Sequence, residues 1–141
     1  MSLGFEQAGV DVIAAFDKWA PAVEIYRANF SHPIYEKDLC DEDSIEQIKS
    51  MAPDLIIGGP PCQDYSIAGK RKQGERANLT VRFAEIVAGV RPKWVVFENV
   101  YNIERFGTLP IMKETLKKAG YGLSHTVLDA SRCGVPQARK R

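Results

Sequence analysis

A chain of 141 residues, 45% of them hydrophobic, is long enough for a real core and supports one domain at most. It has no apolar run of the roughly eighteen residues that cross a bilayer, and no basic stretch leading into an apolar one at its start, so neither a membrane span nor a signal peptide is expected. A net charge of +1 does not by itself suggest a nucleic-acid partner, and Cys40, Cys62 and Cys133, widely spaced and without a CxxC pair, argue against a disulfide framework or metal site and for a reducing, cytoplasmic compartment. His32 and His125 stand alone and are read as structural or exposed.

Ser2 to Ala8 reads as a helix with Gly9 beyond its end, and Val10 to Phe16 as a buried strand ending at Asp17. Pro21 opens a helix with Val23, Tyr26 and Phe30 near one face. A short strand over Ile34 to Glu36 leads to Asp38, and Ser44 begins a helix over Ile45, Ile48 and Met51 that stops before Pro53. Asp54 to Ile57 is a four-residue strand, followed by a loop rich in Gly, Lys and Arg. A helix from Asn78 to Val90 has Leu79, Phe83, Ile86 and Val90 as its expected core stripe, and Trp94 to Phe97 is the next strand. Thr108 can cap, with Pro110 in the first turn, a helix over Ile111, Leu116 and Ala119 that ends at Gly120, and a final strand is expected over Leu123 to Leu128. Strands alternating with helices of this length imply βαβ units, hence an α/β fold: a Rossmann-like, doubly wound, mostly parallel sheet.

Three motifs stand at the ends of these strands. Gly58-Gly59-Pro60-Pro61 stops the Asp54–Ile57 strand and is followed at once by Cys62-Gln63-Asp64-Tyr65-Ser66. A thiol in a rigid turn beyond a buried strand sits where α/β enzymes hold their reacting groups. Phe97-Glu98-Asn99-Val100 closes the Trp94 strand, and Gln137-Ala138-Arg139-Lys140-Arg141 comes last. Positive charge gathers near both ends of this set, at Lys70, Arg71, Lys72 and Arg76 and at Arg139, Lys140 and Arg141, while acidic residues gather from Glu36 to Glu46. A phosphate backbone would need cations at those two places.

Taken together and in this order, the three motifs resemble those of the cytosine-5 DNA methyltransferase family. The resemblance implies Cys62 as nucleophile, Glu98 as the carboxylate for the target base, Arg141 as the arginine reaching the base O2 and Arg139 as its support. It implies S-adenosylmethionine as methyl donor. Asp17 matches the acid that binds its ribose, and Lys18 stands where an adenine-stacking aromatic is common. Asp38 and Leu39 match the pair on the adenine amino group and ring, and Pro60 and Leu79 match further residues of the pocket. Asn99 is expected to fix the turn and the cysteine loop. Gln63, Ser66 and the loop carrying Lys70, Arg71 and Lys72 match the segment that closes over DNA holding a flipped cytosine.

The chemistry suits these residue types. Cytosine C5 is a poor nucleophile until a thiolate adds at C6, and cysteine supplies both a thiolate fraction and a good leaving group. Addition sends electrons toward N3, where Glu98, protonated or sharing a proton, can meet N3 and the exocyclic amine together. The family pattern also has a first strand with a glycine turn before the residues matched here, and a target-recognition region and a closing motif after them. The chain is therefore expected to be the middle of a bacterial-type catalytic domain, without activity in isolation. A transfer-RNA cytosine methyltransferase on the same fold, or a non-catalytic piece completed by a second chain, are the rival readings.

Overall fold

The computed structural model describes residues 1–61, 78–105 and 107–141, which form two compact units, Met1–Pro53 and Asp54–Arg141. Cys62, Gln63, Ser66, Lys70, Arg71 and Lys72 lie outside the described residues.

In the first unit, helix α1 (Ser2–Gln7) ends in a left-handed turn at Gly9, φ +82°, where glycine carries no Cβ penalty. The Val10 N–H bonds the Phe5 carbonyl at 2.9 Å and the Gly9 N–H that of Glu6 at 2.9 Å, so the helix's last carbonyls are satisfied. Strand β1 (Ala15–Asp17) pairs in parallel with β2 (Ile34–Glu36), with Asp17 opposite Glu36, and α2 (Ala20–Asn29) connects them. The strand expected from Val10 is shorter at its start. Its partner has only three residues, and pairing begins where Ala15 donates to the Pro33 carbonyl at 2.9 Å.

Val23 of α2 is fully buried, and the tilted rings of Tyr26 and Phe30 pack with centroids 4.4 Å apart. The Tyr26 hydroxyl lies 2.6 Å from His32 Nε2 and 2.5 Å from Ser2 Oγ, while His32 Nδ1 lies 3.0 Å from Glu6. The Tyr26 hydroxyl donates to Ser2 Oγ, and His32 bridges it to Glu6 through its two ring nitrogens. This chain of side chains fastens α1 to the connection between α2 and β2, the structural role expected for His32. Helix α3 (Ser44–Ser50) buries Ser44 and Ile48, and the Ser44 hydroxyl donates to the Asp38 carbonyl at 3.3 Å.

In the second unit, β3 (Leu55–Gly58) and β4 (Trp94–Phe97) pair in parallel, with Leu55 opposite Trp94 and Gly58 opposite Phe97. Strand side chains alternate between faces. Val95 and Phe97 join Ile56 against the core, while Trp94 and Val96 remain 72% and 40% exposed. That core is built where α4 (Asn78–Val90) meets α5 (Thr108–Lys118), from Ala84, Val87, Leu109, Met112, Leu116 and Ile103.

Both helices turn a slightly different face inward than their large apolar residues suggest. In α4, Thr80, Ala84, Ile86 and Val87 are buried, and Leu79, Phe83 and Val90 are half-buried. Small side chains at Thr80 and Ala84 leave room on that face, whereas Phe83 and Leu79 pack at its edge. In α5, Leu109 and Met112 take the buried positions with Leu116, and Ile111 is 51% exposed. Thr108 is the first helical residue rather than the cap, a position held by Gly107.

The expected strand over Leu123 to Leu128 is not formed. These residues are largely exposed and, among the described residues, find no ladder until Leu128, which exchanges two 2.8 Å backbone bonds with Arg141. Among the described residues, no helix is long and apolar enough to cross a membrane.

Gly58 ends β3 against the ring of Phe83. A Cβ there would come within 2.8 Å of Phe83 Cδ2 and closer still to Cε2. The ring is itself held by Phe97, 5.5 Å between centroids, so it cannot simply swing away. Gly58→Ala is therefore expected to destabilise the complete protein by roughly 1–3 kcal/mol, as overpacking does. Gly58→Ala combined with Phe83→Leu should recover part of that loss. Chemical denaturation measures both, and an unchanged midpoint for the single variant would show that the ring yields freely.

Candidate active site

The pairing of β3 with β4 does not stop at the last strand residue. The Glu98 N–H donates to the Gly58 carbonyl at 2.9 Å, one further bond of the parallel ladder. Asn99 Nδ2 then donates to the Pro60 carbonyl at 2.8 Å, and Asn99 Oδ1 accepts from the Val100 N–H at 2.9 Å. Proline cannot donate a ladder bond, so a side-chain amide is the natural way to tie this turn down. Asn99 fixes the Gly58–Pro61 turn to the Glu98–Val100 segment, and Cys62 is the next residue in the sequence after that turn.

Glu98 faces Arg141. Arg141 Nε lies 2.9 Å from Glu98 Oε1, with the side chains 29% and 40% exposed. Arg141 Nη1 donates to the Lys140 carbonyl at 2.9 Å. The Glu98 carboxylate and the Arg141 guanidinium thus lie next to each other, an acceptor beside a donor. A planar heterocycle with an acceptor beside a donor could take both.

Chain ends ordinarily fray, yet Arg141 is paired through its backbone with Leu128 on both sides. The Ala130 N–H donates to the Arg139 carbonyl at 2.9 Å, and Asp129 bridges to Lys140 in antiparallel fashion. Arg139 itself contributes backbone here. Its side chain is exposed and makes no ion pair among the described residues. The Asp129 carboxylate, which the sequence patterns did not single out, caps the 3-10 turn Ala130–Cys133 and holds this return. Asp followed two residues later by Ser, as in Asp129-Ala130-Ser131, is the local signal that could have found it.

The first unit carries the residues expected to hold the methyl donor. Asp17 ends β1, and its Oδ1 accepts the Trp19 N–H at 2.8 Å. Asp38 follows β2. Its Oδ1 accepts the Cys40 N–H at 2.9 Å and its Oδ2 pairs with Lys18 Nζ at 3.0 Å. The Cys40 N–H first, and then the Lys18 ammonium, hold the Asp38 carboxyl below the ordinary carboxylate range. Lys18 thus spans the two strand ends and grips a carboxylate. Leu39 is half-buried beside Asp38, and in the second unit Leu79 is half-buried in the first turn of α4. The donor set fits a nucleoside: carboxylates at strand ends for hydroxyls and an amine, an apolar side chain for a ring. No group of His, Cys, Asp and Glu suited to a metal occurs among the described residues.

If Asn99 secures the turn, Asn99→Ala removes the acceptor of the Val100 N–H and frees the Pro60 carbonyl. The local loss should be about 1–2 kcal/mol, in the range for a half-buried hydrogen-bonded group. Amide hydrogen exchange should quicken at Val100 and Glu98 while α5 keeps its protection. Unchanged exchange at both amides would contradict the role given to Asn99.

Comparison with known proteins supports the same reading. The family described as C-5 cytosine-specific DNA methylase matches residues 1–141. The chain is 54% identical over 143 residues to the type II methyltransferase M.HindV of Haemophilus influenzae, covering all of this chain and 47% of that protein. It is 53% identical over 146 residues to M.HgiDI of Herpetosiphon aurantiacus, covering all of this chain and 46% of the relative. With M.HgiGI of the same organism it shares 57% identity over 102 residues, 71% of this chain and 81% of the relative. The chain thus spans about half the length of the first two of these relatives. A crystal structure of a Spodoptera frugiperda DNMT2 mutant superposes with a TM-score of 0.81 at 23% identity, covering 99% of this chain and 44% of that one, which shows the shared α/β fold. A match along the whole chain, and relatives more than half identical to it, show that the chain belongs to the C-5 cytosine-specific DNA methylase family.

Proposed function

We propose that this chain forms the central part of the catalytic domain of a DNA (cytosine-5-)-methyltransferase. The observation that carries the reading is the register of β3 on β4. It places the turn that leads to Cys62 beside Glu98, which in turn faces Arg141.

In this reading the Cys62 thiolate adds to C6 of a cytosine flipped out of the duplex, forming a C–S bond and breaking ring aromaticity. Electron density moves to N3, where Glu98, protonated or sharing a proton, would meet N3 and the exocyclic amine together with its two carboxyl oxygens. Arg141 would reach the base O2 with its guanidinium, with Arg139 supporting the site and DNA backbone. S-adenosylmethionine, when bound, supplies an electrophilic methyl group for C5. The C5 proton then passes to solvent water and the N3 proton returns to Glu98 as the ring expels the Cys62 thiolate and recovers its aromaticity. Asp17 would take the ribose hydroxyls and Asp38 and Leu39 the adenine as one nucleoside pocket, and Pro60 and Leu79 are the family matches to further cofactor-binding residues. Lys18 serves this pocket through Asp38 rather than through contact with the ring. Gln63, Ser66, Lys70, Arg71 and Lys72 would meet the DNA, the cations on phosphates.

The test uses the complete protein and tritiated methyl transfer. Wild type should methylate mixed-sequence DNA in preference to transfer RNA, and Cys62→Ala or Cys62→Ser should abolish turnover while leaving S-adenosylmethionine binding largely intact. A Cys62 variant that kept about a tenth of wild-type activity would remove it from the nucleophile role, since losing a nucleophile ordinarily costs far more. Preference for transfer RNA would reassign the substrate. Activity that required a second chain carrying the remaining family motifs would make this one half of a split enzyme.

A further inference from the structure

Arg141 can serve a base only if its backbone is fixed, and the nine residues between Asp129 and Arg139 form an exposed excursion that has to be closed. The closure converges on one atom. Asp129 Oδ1 accepts from the Ser131 N–H at 3.1 Å, the Ser131 hydroxyl at 2.8 Å and, across the excursion, the Arg139 N–H at 3.2 Å. On either side of that point Ala130 bonds Arg139 and Leu128 bonds Arg141, while Gly134, at φ +80°, turns the chain back. The Ser131 hydroxyl, foremost among several donors, holds the Asp129 carboxyl below its ordinary range, as acceptance by an anionic oxygen would.

We infer that Asp129 is a positioning residue for the base-binding pair: by holding the Arg139 amide it sets the register in which Arg141 meets Glu98. This deepens the function proposed above and rests on it for its catalytic consequence. Asp129 touches neither substrate nor cofactor. It acts through the backbone of Arg139 to Arg141, and a shift of one residue in this antiparallel return would carry the Arg141 side chain to the opposite face.

The decisive property is the oxygen acceptor rather than the charge, because all three bonds end on Oδ1. Asparagine keeps that acceptor, and alanine does not. In the complete protein, Asp129→Ala should lower kcat for DNA methylation on the order of tenfold or more, as misplacement of a catalytic group does. KM for DNA and the melting temperature should stay close to wild type. Asp129→Asn should restore most of kcat.

Amide exchange supplies a readout that needs no activity: it should quicken at Arg139, Arg141 and Leu128 in the alanine variant and return toward wild type in the asparagine variant. Three results would overturn the inference. The alanine variant could keep kcat within twofold. It could lose melting temperature and DNA affinity with kcat intact, or exchange could be unchanged at all three amides. A wild-type protein that methylated no cytosine would instead refute the proposed function, and the exchange pattern would still decide whether Asp129 sets the position of Arg141.

Discussion

The site depends on the alignment of two four-residue strands. β3 and β4 pair in parallel with Gly58 opposite Phe97, and the ladder continues through the Glu98 N–H to the Gly58 carbonyl. Because the strands run the same way, both leave the sheet at one end, and whatever follows each in sequence emerges at the same edge. One strand is followed by Gly-Pro-Pro-Cys, the other by Glu-Asn-Val. A one-residue slip would exchange the faces of every side chain, burying Trp94 and Val96 and exposing Val95 and Phe97. Burial of Val95 and Phe97 against the helical core therefore fixes the same register that aligns the site.

Glycine and proline do different work at this edge. Gly58 is small because the Phe83 ring occupies the space of a side chain. The prolines beyond it cannot donate to a ladder, so the turn would be held only by its ends, and Asn99 supplies the missing bond at Pro60. A comparable solution appears at the far end of the chain, where Asp129 closes an exposed excursion that lacks a core of its own. In both places a short polar side chain, bonded to backbone beside a catalytic candidate, holds a turn or return in place. Arg141 and Glu98 meet because two such backbone segments are held independently.

Much of this was legible in the sequence for a simple reason: it is local. Ile34–Glu36, Asn78–Val90 and Trp94–Phe97 have the bounds their apolar runs and breakers imply. The motifs Gly58–Ser66, Glu98–Val100 and Gln137–Arg141 pointed to their family because each is a compact run at a strand end or chain return. What escaped was decided by partners distant in sequence. The buried face of α4 follows α5, so Ala84 and Val87 are core while Phe83 lies at the margin. Leu123 to Leu128 has strand composition, but composition supplies no partner, and only Leu128 finds one. Lys18 meets Asp38 twenty residues away, a contact that no local pattern announces. The Gly58–Pro61 turn leads directly to Cys62 in the sequence.

The central claim is that this turn presents Cys62 to C6 of cytosine, and a mechanism-based adduct tests it most directly. DNA containing 5-fluorocytosine blocks loss of the C5 substituent, so an enzyme that adds a thiolate at C6 and methylates C5 stays bonded to its substrate. The complete protein, incubated with such DNA and S-adenosylmethionine, would be digested and mapped by mass spectrometry. The account predicts one modified peptide, with the nucleotide on Cys62. An adduct on Cys40 or Cys133, or none from a preparation that methylates ordinary DNA, would contradict it.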